Sequence, residues 1–184
     1  AAGAAKKGDF AAAKRHVEAL SEAGANRLLK PGFLAWIEFG QGSPEKAIEA
    51  LRALAGIEGL RVFLELHLAL INDAAGRNAQ AEAAYRSAIG NGETAPLRLS
   101  QAFASFLART GKRAEAIALW NKYLAGSPDS SIAEMARQRL VENKPPRRLA
   151  AKAPEGMAEL LLNVAGALQQ ENASGPALGY ARLA

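Results

Sequence analysis

His16 and His67 are the only histidines of a chain that contains no cysteine, and neither stands in a spacing that makes metal or nucleophile chemistry. A catalytic zinc site needs ligands grouped as in His-Glu-x-x-His, and no such group occurs. A Gly-x-Ser-x-Gly elbow is also absent. Gly40-Gln41-Gly42 lacks the further glycine and the strand that a dinucleotide fingerprint requires. Gly111-Lys112 lacks the upstream glycine and the following Ser or Thr of a phosphate loop. Asn172-Ala173-Ser174 fits a glycosylation acceptor pattern by chance alone. The lack of cysteine excludes disulfides and thiolate sites without assigning a compartment. No catalytic residue, cofactor or metal is therefore predicted, and the expectation is a protein that is not an enzyme.

The remaining candidates are charges. Arg137, Arg139, Lys144, Arg147, Arg148 and Lys152 face one acid, Glu142, between residues 137 and 152, so this stretch accounts for the whole net charge of +5. One reading is contact with phosphate or an acidic partner, which clustered charge would steer. The plainer reading is a solvated linker whose arginines cap nearby helix C-termini. Aromatic residues that could stack on bases are missing from the patch, which argues against nucleic acid.

The elements that must carry these residues are announced by a repeat. Gly8, Gly42, Gly76 and Gly111 each stand five residues before an alanine, and those alanines, Ala13, Ala47, Ala81 and Ala116, follow one another at 34, 34 and 35 residues. Ala177, with Asn172 in the glycine slot, follows after 61. Seven residues before each slot stand Ala1, Ala35, Ala69, Ala104 and Ala165. Alanine makes up 43 of 184 residues, so five in one column would arise by chance in about 6 of 10,000 trials. Val17, Leu51, Tyr85, Trp120 and Ala181 recur four residues after the second alanine. Small residues let facing helices approach, and the large ones fill the groove between turns. A period of this length is that of one helix-turn-helix unit in a solenoid.

The pattern of small residue, glycine, small residue, then aromatic or aliphatic resembles the tetratricopeptide repeat, most fully in Gly76/Ala81/Tyr85/Ala88 and Gly111/Ala116/Trp120/Pro128. It departs from it in Pro44, where an aromatic is usual, in Asn172 and in the incomplete helix before Gly8. The stretch with Asn26-Arg27-Leu28-Leu29, Ala35-Trp36 and Pro145-Pro146 is similar to a group of alphaproteobacterial tetratricopeptide proteins of unassigned activity. The resemblance implies an all-α fold, an α-solenoid of stacked antiparallel helix pairs in a right-handed superhelix. It also implies a longer, exported parent, periplasmic rather than cytoplasmic, although the cytoplasm stays open. The expected organisation is units one to four over 1–130, with unit one incomplete, an extra helix and basic Pro-rich linker over 131–154, and a partial fifth unit over 155–184. The superhelix should be interrupted or re-aimed near 143–154.

Punctuation refines the helices. Ser43-Pro44-Glu45 supplies a cap, a first-turn proline and an early acid, so a helix over 44–55 should start there. Ser131-Ile132-Ala133-Glu134 reads as a capping box opening a helix over 131–142. Pro31 in a first turn puts the Trp36 helix at about 31–40. Others are expected at about 10–22, 60–74, 78–90, 96–109 and 113–125, with no strand and no apolar run near the roughly 20 residues that cross a bilayer.

In tetratricopeptide arrays partners bind the concave face lined by the first helix of each pair. Transferred by helical spacing, that face holds Trp36 and Phe39, then Leu66, Leu70 and Asp73, then Arg98, Gln101, Ser105 and Arg109, apolar at one end and polar-basic at the other. It suits an amphipathic helix or an extended peptide. The Lys and Asn slots of the family's carboxylate clamp hold Leu66/Leu70 and Gln101/Ser105, so that activity is not supported. Trp36 and Phe39 also fit plain core packing, and a salt bridge to Arg109 would explain Asp73 equally well. The leading expectation is a scaffold for a protein or peptide partner. The alternatives are self-association into a homo-oligomer through end units, or an accessory domain of a larger enzyme or secretion assembly.

Overall fold

The computed structural model describes residues 1–57, 59–90, 95–144, 146–170 and 174–184. Among these the chain forms helices and no strand. In order they are α1 (Ala2–Lys6), α2 (Phe10–Glu18), α3 (Asn26–Gly40), α4 (Pro44–Arg52), α5 (Arg61–Ala74), α6 (Asn78–Ile89), α7 (Leu97–Arg109), α8 (Arg113–Gly126), α9 (Ser131–Val141), α10 (Ala153–Gln170) and α11 (Ser174–Leu183).

One turn is built four times. Gly8, Gly42, Gly76 and Gly111 adopt φ of 79°, 82°, 74° and 86°, the left-handed region in which a Cβ would be strained. The residue after each glycine donates its N–H five residues back: Asp9 to the Ala4 carbonyl at 3.0 Å, Ser43 to Glu38 at 3.0 Å, Arg77 to Asn72 at 2.8 Å and Lys112 to Leu107 at 2.7 Å. This bond satisfies a carbonyl at the end of the first helix and sends the chain back against it. The recurring glycine is thus the residue that lets α1, α3, α5 and α7 fold onto α2, α4, α6 and α8.

Packing follows the small and large columns. Ala13, Ala47, Ala81, Ala116, Ala35, Ala69 and Ala104 are buried, and Val17, Leu51, Tyr85 and Trp120 are buried beside them. Each pair also meets the next, through α2 on α3, α4 on α5 and α6 on α7. Tyr85 stacks on Phe103 with ring centroids 5.3 Å apart, joining the third pair to the fourth.

Several helix limits differ from those read in the sequence. Helix α3 begins at Asn26 and runs through Pro31, because Leu29 and Phe33 on either side are both buried and their burial offsets the one lost backbone bond. Helices α2 and α4 stop earlier than expected, at Glu18 and Arg52. The cap of α9 is Ser130, whose Oγ accepts from Ala133 N–H at 3.4 Å. Glu134 pairs with Arg137 rather than closing a box.

The C-terminal pair departs most. Helices α10 and α11 pack on each other, but α10 does not continue the row beyond α9. It lies against α3, α1 and α5 at the opposite end of the chain. Asn143, at φ 64°, closes α9, and the segment with Pro146 carries the chain back across the helix pairs. Asn172, the expected fifth glycine slot, lies outside the described residues, as does the side chain of Ala177.

Candidate functional site

Along α3, Gly32, Trp36 and Gly40 fall one turn apart on one face. Along α10, Ala153, Gly156 and Leu160 do the same. The two rows meet in opposite order. A Cβ built on Gly40 would lie 2.9 Å from that of Ala153, one on Gly156 would lie 2.1 Å from the Trp36 ring, and one on Gly32 would lie 2.0 Å from Leu160 Cδ1. The helices are therefore antiparallel, with a glycine opposite bulk at two successive levels. Removing the Cβ at these positions lets two backbones approach and encloses Trp36, which is 0% exposed.

Helix α10 is started by its own residues. The Glu155 carboxylate accepts from the backbone N–H of Ala151 at 2.7 Å and of Lys152 at 3.1 Å, satisfying donors that an N-terminus leaves open. Pro154 sits in the first turn, where its missing N–H costs nothing.

Charge fixes the remainder of the segment. Glu159, 3% exposed, takes both arms of Arg98 from α7, with Nε donating to Oε2 at 2.7 Å and Nη2 to Oε1. Gln101 Oε1 accepts from Arg98 Nη1 at 3.0 Å and orients the guanidinium. Asp73, at the end of α5 and 2% exposed, accepts from Arg109 and, at 3.0 Å, from Arg148 Nε of the returning segment. Ser105 Oγ donates to the Arg147 carbonyl at 2.6 Å. A buried carboxylate without these partners would be costly, so each pair favours the seated position over a detached one.

Of the nine residues that sequence reasoning placed on a binding face along α3, α5 and α7, the structure brings Trp36 beside Phe39, Arg109 onto Asp73 and Ser105, and Arg98 beside Gln101. The expectation that this surface stands open is corrected. Trp36, Leu66, Leu70, Asp73 and Ser105 are buried, Phe39, Arg98, Gln101 and Arg109 are partly so, and residues 147–160 of the same chain make direct contacts along it. The physical reason is that the insertion before the last pair reverses the chain, returning an apolar helix that carries a matching acid to the face.

The basic patch is likewise divided. Arg137 pairs with Glu134, Lys144 with Glu142 and Arg148 with Asp73. Arg139, Arg147 and Lys152 make no ion pair among the described residues. The Glu134 and Glu142 carboxyls are held below the ordinary range by hydrogen bonds from Arg137 and Lys144.

No family model matches the chain, and no curated protein or solved structure is significantly similar to it.

His67 is fully buried. Its Nδ1 accepts from Trp36 Nε1 at 3.2 Å, which places the ring proton on Nε2, and that nitrogen has no partner. Phe63 lies beside it at 4.6 Å between centroids. Burial drives its pKa down to about 3, so the imidazole is neutral and serves as a fixed acceptor under Trp36. The Tyr85 hydroxyl is pushed up from its ordinary value, first by burial and then by the Asp73 charge. Among the described residues no group of three or more His, Asp or Glu side chains is arranged to hold a metal ion. No helix among them is long and apolar enough to cross a membrane.

Sequence reasoning missed Gly156, Glu159 and Leu160. A signal was present: Glu159 is the one acid in the otherwise apolar run Met157 to Leu162. A charge in such a run needs a partner from another element.

Proposed function

We propose that the chain is a non-enzymatic protein-interaction scaffold of tetratricopeptide type, a right-handed α-solenoid whose α3, α5 and α7 face binds a helix. The observation that carries the reading is the seating of α10. The face already accommodates an antiparallel helix with small residues against Trp36, an aliphatic residue over Gly32 and a carboxylate on Arg98. A partner helix with the same features would use the same contacts once α10 moves aside. Tethering gives α10 an effective concentration in the millimolar range, so a partner must outcompete it.

The reading is tested by selecting helical peptides on the Gly156→Leu chain, in which a side chain at 156 cannot sit under Trp36, with counter-selection on the unaltered chain. Recovered peptides should carry a small residue one turn before a carboxylate, and Arg98→Glu should abolish their binding. Peptides whose binding ignores Arg98→Glu would remove the proposal. Self-association keeps a place as the second reading, because Ile132 and Met135 on α9 are 53% and 66% exposed. Sedimentation of Ile132→Glu/Met135→Glu beside the unaltered chain decides it, since an unchanged monomer in both excludes that surface.

A further inference from the structure

A second concavity, which meets the α10 contact at Arg98, opens between α7, α8, α9 and the segment that follows α9. Its volume is about 330 Å³. Leu140, Leu149 and Trp120 are among its apolar lining, and Arg98, Arg139, Lys144 and Arg147 are its cationic residues. Two of those cations have acidic partners, Glu159 for Arg98 and Glu142 for Lys144. The guanidinium groups of Arg139 and Arg147 make neither a hydrogen bond nor an ion pair among the described residues.

A structural role for these two arginines would be to cap the C-terminus of α9. That role is already filled by backbone. Glu142 N–H donates to the Gln138 carbonyl at 2.9 Å, Asn143 N–H to Leu140 at 3.1 Å and Lys144 N–H to Arg139 at 2.8 Å. Three of the last four carbonyls of α9, those of Gln138, Arg139 and Leu140, are thus taken. The Arg147 backbone carbonyl, in turn, is held by Ser105, which fixes the residue while leaving its side chain unused. Like charges gathered around one hollow repel each other, and the repulsion is relieved by an anion. Trp120 is 2% exposed and offers no face for a base to stack on, so the site lacks the platform that single-stranded nucleic acid uses.

We infer that this hollow binds a small organic anion with an apolar body, the carboxylate or phosphate head between Arg139 and Arg147 and the hydrocarbon on Leu140 and Leu149. The site does not rest on the scaffold reading: the two share Arg98, which is held by Glu159, whereas the head group is assigned to Arg139 and Arg147.

The test is calorimetric titration of the full chain with octyl phosphate, octanoate, inorganic phosphate and neutral octyl glucoside, all below their micellar concentrations. The octyl anions should bind at one site, and whichever binds tighter names the head group. Inorganic phosphate should bind about tenfold more weakly or worse, because it lacks the apolar body. Arg139→Gln/Arg147→Gln should weaken the octyl anions by about tenfold or more, with an unchanged melting temperature showing that the fold persists. Lys46→Gln on α4 should leave binding unaltered. The inference is overturned if neither octyl anion saturates, if octyl glucoside binds as well, if inorganic phosphate binds as tightly as octyl phosphate, or if the double variant binds like the unaltered chain.

Discussion

Trp36 shows how a residue with the right type and spacing for a binding face can be core instead. It is sealed by Gly156 on one side and bonded to His67 on the other. Trp36→Ala is expected to cost about 3–5 kcal/mol in chemical denaturation, the range for a buried large aromatic, so any loss of partner binding in that variant would be mixed with a loss of stability. His67 makes a pH prediction. The folded imidazole titrates near 3 and the unfolded one near 6.5, so below 6.5 the unfolded chain takes up a proton that the folded chain refuses. Stability is full above that value and declines by about 1.4 kcal/mol per pH unit as the pH falls. His67→Gln keeps an acceptor for Trp36 and should flatten the slope between pH 6.5 and 4.5 in urea melts. An equal slope in both proteins would show that His67 is not the group responsible. Arg98→Ala leaves Glu159 buried without its partner and should cost about 3 kcal/mol, the low end for a buried pair because Arg98 is itself 41% exposed.

At the scale of elements, the turn glycines and the α10 glycine give contrasting predictions. Gly76→Ala and Gly111→Ala place a Cβ in open space at left-handed φ, so each should cost about 1–2 kcal/mol through backbone strain alone. On α10, Gly156→Ala pushes a methyl into the Trp36 ring and should destabilise by about 1–3 kcal/mol, whereas Gly166→Ala meets nothing within 4 Å and should stabilise slightly. Denaturant midpoints for the four variants separate turn strain from helix docking. The turns were legible because one glycine in the same slot does the same physical work each time. The limits of α3 were not, since a local rule about Pro31 was overridden by burial on both sides of it. The site was half legible. Helical spacing named the candidate face, but the segment covering it joins residues up to 128 apart in the sequence, Gly32 with the Leu160 side chain, and no local pattern encodes such a pairing.

Across the whole molecule, the chain closes on itself. Four helix pairs present one face, and the last pair returns to fill part of it instead of extending the row. The reversal takes place in the segment after Asn143, which carries Lys144, Arg147, Arg148 and Lys152, so the patch read as one charged surface is divided: Arg137 pairs with Glu134 on α9, Arg148 pairs with Asp73, and Arg139, Lys144 and Arg147 line the hollow beside α9. On the two proposals, anion binding in the hollow and partner binding on the α3 face meet at Arg98, which pairs with Glu159 of α10 and also lines the hollow. The most direct measurement is fluorescence anisotropy of a labelled peptide of residues 151–170 with the full chain and with Gly156→Leu, both retaining a cooperative melt. The account predicts saturable binding to the variant and binding at least about tenfold weaker to the unaltered chain, where tethered α10 competes. Equal affinity for both chains, or no binding to the folded variant, would contradict it.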